Sequence, residues 1–296
     1  MFYLLFYLLQ MEIIKNILDL NKAIKDFKNF GFVPTMGGIH QGHISLIKNS
    51  QKMCKKTIVS IFVNPTQFND KVDYKKYPRN IKRDIKILEN FKVDFLFIPQ
   101  VKEIYKKKIK SMKLNNKDKI LCAKFRKGHF EGVLNVMNRL MSIIKANKIF
   151  MGEKDFQQVF LINKYLSKKY KSRIVSCETI RDKKSVALST RHKLLSKKNY
   201  IKISLITKNL LKLKKKINLT DKYLLLFINK YINKLEKFYK IKVDYLEFRN
   251  EKNLKLTNSK KKCRLFIAYT IDKVRLIDNF QFTKNKLQRL KKIQIQ

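Results

Sequence analysis

The sequence predicts an α/β protein: a Rossmann-like, doubly wound parallel sheet followed by a second, smaller α+β domain. Short apolar runs alternate with helical periodicity in the first half of the chain, and this alternation is typical of parallel strands joined by helices. Glycine-containing and polar motifs follow several of the predicted strands, at the edge where such sheets bind ligands. All seven glycines and all four prolines precede position 153, so the C-terminal part has a different character.

Residues 1–10 are almost wholly apolar. This segment is too short to span a bilayer, and it lacks the basic region and small-residue cleavage site of a signal peptide. Met11 is an equally good start, so we interpret the segment as an extension and expect no membrane partner. The next stretch, residues 11–30, is predicted to be an amphipathic helix.

A motif from Gly31 to His43 lies at the centre of the first domain. Its apolar start, glycine-rich turn and following helical periodicity predict a strand, a tight loop and a helix. Such a turn offers backbone N–H groups and a helix dipole to phosphate. His40 and His43 are three residues apart and project to the same side of a first helical turn. Gly42, between them, would let a flat ligand approach the backbone.

The remaining elements of the first domain continue the alternation. A helix is expected to begin at Pro78 and another to follow Gly128, whereas residues 102–127 are expected to be a lysine-rich surface loop. The further strands are predicted at residues 57–63, 93–98, 148–151 and 173–180.

Beyond Arg191 the sequence predicts long helices and then three strands. The helices are expected between residues 197 and 240, and the strands at 243–248, 264–271 and 274–277. We therefore expect one domain at residues 11–183, a smaller one at 184–282, and extensions at 1–10 and 283–296.

The net charge of +47, from 69 basic and 22 acidic residues, would ordinarily indicate a nucleic-acid partner. However, the lysines are spread over the whole chain among abundant Ile and Asn. These residue types have AT-rich codons, so a biased genome accounts for the charge, and we expect no specific nucleic-acid partner. The four cysteines show no CxxC spacing, which favours a reducing cytoplasm over a zinc site or a disulfide framework.

Several motifs together resemble one family. Residues 34–43 contain Pro-Thr-Met-Gly and His-Gln-Gly-His, the HxGH signature of nucleotidyltransferases related to class I aminoacyl-tRNA synthetases. With the motifs at residues 63–68, 77–79, 128–130, 152–158 and 275–279, in this order, the chain resembles the pantothenate synthetase (pantoate–β-alanine ligase) family.

The resemblance implies ATP-dependent ligation in the cytoplasm by a homodimer. In that reaction the carboxylate of pantoate attacks the α-phosphate of ATP, giving pantoyl adenylate and pyrophosphate. The amine of β-alanine then attacks the activated carbonyl, which releases pantothenate and AMP. Such chemistry needs positioning and charge stabilisation more than a covalent nucleophile.

The resemblance also assigns roles to residues. His43 is expected to be the catalytic histidine, and Gln67 and Gln158 to bind pantoate, because an amide can bond hydroxyls and a carboxylate without adding charge. Lys154 suits a phosphate contact as a compact charge. The expected ATP-binding residues are Met36, Gly37, Gly38, Ile39, His40, Gln41, Gly42, His43, Gly152, Glu153, Lys154, Asp155, Ile180, Leu188, Ser189, Thr190 and Arg191.

The chain departs from the family's pattern at its second ATP loop. The family usually has Ser-Ser-Arg-Asn, and here the sequence is Ser189-Thr190-Arg191-His192. Thr190 keeps a hydroxyl, and Arg191 can grip phosphate oxygens. Mg²⁺ is expected with ATP; Asp84 is a weak candidate ligand that reads more readily as a carboxylate on a helix surface.

Two other functions stay open from the sequence. Another HxGH adenylyltransferase would act on a phosphorylated substrate, and extra basic residues would then replace Gln67 and Gln158. A basic RNA-binding protein on a relic enzyme fold would keep the charge but not the motifs. The intact motifs disfavour both alternatives.

Overall fold

The computed structural model describes residues 11–106, 110–219 and 222–282. The expected extensions at 1–10 and 283–296 lie outside the described residues. The chain divides into two compact units. The first comprises the described residues up to Ile180 together with Leu188–Lys193, and the second comprises Arg181–Ala187 and the described residues from Leu194 onward.

The first unit contains a six-stranded, wholly parallel sheet in the order β1-β4-β3-β2-β5-β6. This confirms the predicted doubly wound sheet. Because β2 lies between β3 and β5, its carboxyl end opens at the middle of the sheet. The strands are β1 (Glu12–Ile14), β2 (Phe30–Thr35), β3 (Lys56–Ile61), β4 (Phe95–Phe97), β5 (Lys148–Gly152) and β6 (Arg173–Cys177).

Helices flank this sheet, and their apolar faces bury against it. In the helix His129–Ile144, for example, Val136, Leu140, Met141 and Ile144 are all buried. The helices are α1 (Ile17–Ile24), α2 (Gln41–Met53), α3 (Lys71–Lys76), α4 (Ile81–Asn90), α5 (Val101–Tyr105), α6 (Cys122–Phe125), α7 (His129–Ile144), α8 (Phe156–Ile162) and α9 (Lys168–Tyr170). Single turns of 3₁₀ helix lie at Pro65–Gln67, Asn116–Asp118, Glu153–Asp155 and Thr190–Leu194, and a π-helical turn at Asn163–Ser167.

The predicted helix over residues 11–30 is wrong at both ends, because only Ile17–Ile24 are helical and Phe30 already belongs to β2. Glu12–Ile14 form an edge strand that pairs in parallel with Phe95–Phe97, and the helix begins only at Ile17. The Asn16 side chain marks that beginning, because it accepts a hydrogen bond from the backbone N–H of Asp19 at 2.8 Å. Three residues are too few for the alternating pattern of a strand to be distinguished from one turn of an amphipathic helix.

Two other local predictions need correction. Helix α4 begins at Ile81 and not at Pro78, because the side chain of Asn80 caps it by accepting from the N–H of Arg83 at 3.0 Å. The stretch 102–127, predicted as an irregular surface loop, includes most of α5, one 3₁₀ turn and α6. Its buried residues include Ile104, Leu114 and Leu121.

The second unit combines two helices with a three-stranded antiparallel sheet, which confirms the predicted α+β fold of the C-terminal part. The helices are α10 (Lys197–Lys216) and α11 (Leu224–Tyr239), and the strands are β7 (Lys242–Asn250), β8 (Cys263–Ile271) and β9 (Val274–Gln281), in that order in the sheet. Its core is apolar and includes Ile206, Leu265 and Ile267, all fully buried.

The polar residues of the motif at 275–279 pair with other side chains of the second unit. The guanidinium of Arg181 donates to both oxygens of Asp278, at 2.7 and 2.8 Å. Arg275 pairs with Asp244, and the side chain of Asn279 accepts from the guanidinium of Arg264. Each polar side chain of the motif therefore has a hydrogen-bond partner within this unit.

Candidate active site

The buried carboxylate of Asp84 binds the loop that follows β2. Asp84 on α4 is 1% exposed, and its two oxygens accept from the backbone N–H groups of Gly38 and Ile39, at 2.7 and 2.9 Å. Gly37 and Gly38 have φ values of +77° and +66°, a conformation that glycine adopts without steric cost. The glycines are therefore needed for the turn that brings these N–H groups onto Asp84.

This arrangement corrects two expectations. Asp84 is not a carboxylate on a helix surface, and both its oxygens already have partners inside the protein. Three N–H groups of the turn also have partners inside the protein, because those of Gly38 and Ile39 bond to Asp84 and that of Gly37 bonds to Thr35 Oγ1. Among the residues that the structure describes, no group of three or more His, Cys, Asp or Glu could hold a metal ion.

We expect Asp84→Asn to destabilise the first unit. The amide would turn an N–H group toward a backbone N–H, so one buried donor loses its acceptor, and the free energy of unfolding should fall by about 2 kcal/mol. Calorimetric unfolding measures the change, and Asp26→Asn, at an exposed carboxylate of the same unit, is the matched control. Equal stability of the two variants would contradict an anchoring role for Asp84.

The two histidines of the motif stack on each other at the beginning of α2. Their ring centroids are 4.1 Å apart, with 29° between the planes. His40 Nδ1 accepts from the N–H of Gly42 at 3.1 Å, so the neutral ring carries its proton on Nε2. A Cβ at Gly42 would lie 2.7 Å from the His40 ring, which explains the glycine at this position.

Both imidazoles are neutral at pH 7. Burial first, and then the neighbouring charges His40 and Lys154, lower the pKa of His43 to about 3. Burial and the charge of Lys154 lower the pKa of His40 to about 4, against an opposing contribution from Asp155. His43 Nδ1 is buried without a hydrogen-bond partner in the described part of the chain. A neutral ring with one N–H can donate to an anionic ligand, and phosphate would itself favour protonation.

Residues after β5 add charge beside these rings. Lys154 lies in the 3₁₀ turn that follows Gly152, and its ammonium is 3.9 Å from Asp155 Oδ1. The carboxylate of Glu153 accepts from the hydroxyl of Ser176 on β6 at 3.2 Å. The Lys154 cation is near enough to both histidines that its charge lowers the pKa of each ring.

The second loop lies beside the glycine loop within the same unit. The N–H of Leu188 donates to the carbonyl of Ile180 at 3.0 Å, and the Thr190 side chain packs against Gly38, whose carbonyl accepts from Thr190 Oγ1 at 3.3 Å. A Cβ at Gly42 would lie 3.9 Å from Leu188 Cβ. The loop that departs from the family pattern is therefore packed directly on the histidine motif.

Arg191 in this loop makes a bidentate ion pair with Asp73 on α3. Its Nη1 and Nη2 donate to the two carboxylate oxygens at 2.6 and 2.9 Å. Burial raises the pKa of Asp73, but the hydrogen bond and charge of Arg191 outweigh it, and the pKa lies below its usual value. The pair is therefore fully ionised at neutral pH.

Gln67 ends the 3₁₀ turn after β3 and is buried. Its Nε2 lies 2.8 Å from Met36 Sδ, in the loop after β2, and its Oε1 is 3.3 Å from Asn64 Nδ2. The structure thus places Gln67 next to the loop that follows β2.

The two glutamines after Lys154 face different surroundings. Gln157 is buried, and its side chain bonds the backbone of Ile120 and Cys122 at 2.7 and 3.0 Å. Gln158, the predicted substrate residue, is half-buried. Gln157 therefore fixes the chain before α6, and the substrate role of Gln158 stays a prediction.

A small group of residues that sequence reasoning missed supports Gln67 from its backbone side. His129 Nδ1 lies 2.7 Å from the Gln67 carbonyl oxygen, and Arg126 Nη2 donates to the same oxygen at 3.4 Å. Arg126 Nη1 is 2.9 Å from His129 Nε2. The motif at residues 128–130 contains His129, but its spacing in the sequence does not indicate that this histidine contacts the Gln67 carbonyl.

A cavity of about 280 Å³ opens beside the glycine loop. Its lining includes Met36, Gly37, Phe62, Tyr74 and Arg79. It lies wholly within the first unit and is mostly apolar, so it suits a small organic substrate at the mouth of the sheet.

Known proteins similar to this chain agree on one family. The family described as "Pantoate-beta-alanine ligase" matches residues 12–281. A pantothenate synthetase of Leptospira interrogans is 41% identical over 85% of this chain and 90% of its own. A pantothenate synthetase of Endomicrobium trichonymphae is 38% identical over 93% of this chain and 99% of its own.

Solved structures show the same similarity. A pantoate-β-alanine ligase of Francisella tularensis, crystallised with β-γ ATP and β-alanine, is 36% identical with a TM-score of 0.79, covering 93% of this chain and 99% of its own. The Thermus thermophilus pantothenate synthetase is 26% identical with a TM-score of 0.82, covering 93% of this chain and 100% of its own.

In the described residues, no helix has the length and apolar character needed to cross a membrane.

Proposed function

The chain belongs to the pantoate–β-alanine ligase family, and on this premise we propose which of its residues carry the ligation of pantoate to β-alanine. The observation that carries the proposal is the meeting of three groups within the first unit. These are the stacked histidines, the Arg191 loop packed on Gly38, and Gln67 beside Met36.

The proposed first step activates the carboxylate of pantoate. A carboxylate oxygen bonds to the α-phosphorus of ATP, and the bond to the β-phosphate oxygen breaks as pyrophosphate leaves with the electron pair. His43 donates its N–H to the developing charge, and Lys154 and Arg191 hold the phosphates. Gln67 and Gln158 hold pantoate, because their amides bond its oxygens without adding a competing charge.

The proposed second step uses the same frame. The amine of β-alanine bonds to the acyl carbon of pantoyl adenylate, the bond to AMP breaks, and one amine proton is lost. Because no side chain becomes covalently attached, the protein contributes orientation and electrostatic stabilisation.

We further propose that Mg²⁺ arrives with ATP, held by phosphate oxygens and water. The two carboxylate oxygens of Asp84 accept the backbone N–H groups of Gly38 and Ile39, so we assign this side chain to holding the glycine loop and not to the metal. We also propose a homodimer and a cytoplasmic location. The four cysteines are all free thiols, which supports a reducing compartment.

Isotope exchange between pyrophosphate and ATP tests this function. We expect exchange to require D-pantoate, and AMP release to require β-alanine as well, because activation precedes amide formation. Nicotinate mononucleotide and free amino acids serve as alternative acceptors in the same assay. Exchange supported by one of them and not by pantoate would contradict the assignment.

A further inference from the structure

The orientation of the Gln67 amide is set by a chain of side chains that starts outside the predicted site. Asn64 is 1% exposed and lies between Gln67 and Tyr105. Its Oδ1 accepts from the hydroxyl of Tyr105 at 2.6 Å, and from the N–H and hydroxyl of Thr66 at 3.3 and 3.1 Å. Since a backbone N–H is always a donor, this atom of Asn64 is the oxygen.

The other end of Asn64 is fixed by acceptors. Its Nδ2 donates to the carbonyl of Gly132 on α7 at 3.2 Å and to Gln67 Oε1 at 3.3 Å. The oxygen of Gln67 is therefore turned toward Asn64. Its Nε2 therefore lies toward Met36 and the glycine loop, so the amide has its N–H donors, and not its oxygen, on that side.

Tyr105 is held where it can act on Asn64. The guanidinium of Arg139 on α7 lies over its ring, 4.8 Å from the centroid, and is 8% exposed. Arg139 Nε and Nη1 have no hydrogen-bond partner in the described part of the chain, and the ring face of Tyr105 is a favourable contact for this cation. Burial raises the pKa of the Tyr105 hydroxyl, and at neutral pH it remains a donor.

We propose that Tyr105 is a positioning residue for substrate recognition. It donates to Asn64, and Asn64 in turn holds the Gln67 amide with its nitrogen toward the substrate oxygens. This inference rests on the proposed role of Gln67 in binding pantoate. It assigns a function to α5, a helix in the stretch where the sequence predicts an irregular surface loop.

Tyr105→Phe removes the hydroxyl and keeps the ring. We expect the KM for pantoate to rise about fivefold, the size of one modest hydrogen bond, while the KM for ATP stays within twofold. Tyr170→Phe is the matched control, because its hydroxyl also donates to an asparagine Oδ1 at 2.6 Å, that of Asn138. The control should leave both KM values unchanged.

A double-variant cycle separates positioning from a general structural effect. If Tyr105 acts through Gln67, Tyr105→Phe should change the pantoate KM less than twofold once Gln67→Ala is present. A fivefold effect that persists in that background, or a wild-type pantoate KM for Tyr105→Phe alone, would overturn the inference. If Gln67→Ala itself leaves pantoate use unchanged, the proposed substrate role of Gln67 fails instead.

Discussion

His43→Ala is expected to lower kcat by about a hundredfold or more, with a much smaller effect on the KM for ATP. The reason is that His43 donates to charge that develops only as pyrophosphate departs, and such interactions appear in kcat. The ring is held by stacking on His40, so its N–H needs no reorganisation during the reaction. Steady-state kinetics of pantothenate formation, with ATP varied at saturating pantoate, measures both constants.

Two further variants make this result specific. His43→Gln keeps an N–H donor on a longer side chain, so it should retain more kcat than the alanine variant. His192→Asn replaces another imidazole and should change kcat only a few-fold.

The pH dependence of unfolding gives a second measurement on His43→Ala. As the pH falls below 6.5, this variant should lose less unfolding free energy than the wild type. The reason is that the pKa of His43 is lowered to about 3 in the folded protein, so acid protonates this histidine in the unfolded chain first and favours unfolding. Near-normal turnover in His43→Ala would exclude His43 from the mechanism.

Arg191→Ala is expected to lower kcat/KM for ATP by about thirtyfold, equivalent to about 2 kcal/mol. A guanidinium has five N–H donors, and two of them bond to Asp73 in this structure. The planar group can bridge two phosphate oxygens, which an ammonium cannot, so Arg191→Lys should recover little of the loss. Initial rates at ATP concentrations well below KM measure the effect directly.

The neighbouring departures from the family pattern provide the controls. Thr190→Ser and His192→Asn restore the usual residues and should change the KM for ATP by only a few-fold. Thr190 is buried against Gly38, so loss of its methyl also tests how much that packing matters. Large gains from these two restorations, together with a harmless Arg191→Ala, would show that this loop does not hold the triphosphate.

Local patterning predicted most of the sheet. The apolar runs at β2, β3 and β5 are long enough to predict strands, and the helix expected after Gly128 is α7. The edge strand Glu12–Ile14 was missed because three residues carry no distinguishable period, and its pairing with Phe95–Phe97 is a long-range contact. Helix α5 was missed for a related reason, since five residues within a lysine-rich stretch look like loop.

Sequence by itself determined the family and the residue types that the chemistry needs. Two histidines three apart, a glycine-rich turn, and the Gln67 and Lys154 motifs are local strings, and their order along the chain identifies them. The structure then confirmed the expected parallel sheet and brought Gln67 next to Met36.

Only the tertiary structure decided what each of these groups contacts. From the sequence, Asp84 is expected on a helix surface. In the structure it is buried and accepts the backbone N–H groups of Gly38 and Ile39, which the sequence analysis assigned to phosphate. Tyr105 and Arg191 find their partners, Asn64 and Asp73, at separations of 41 and 118 residues. Hydrogen bonds between such distant residues depend on where the sheet places its loops, and side-chain periodicity carries no information about that placement.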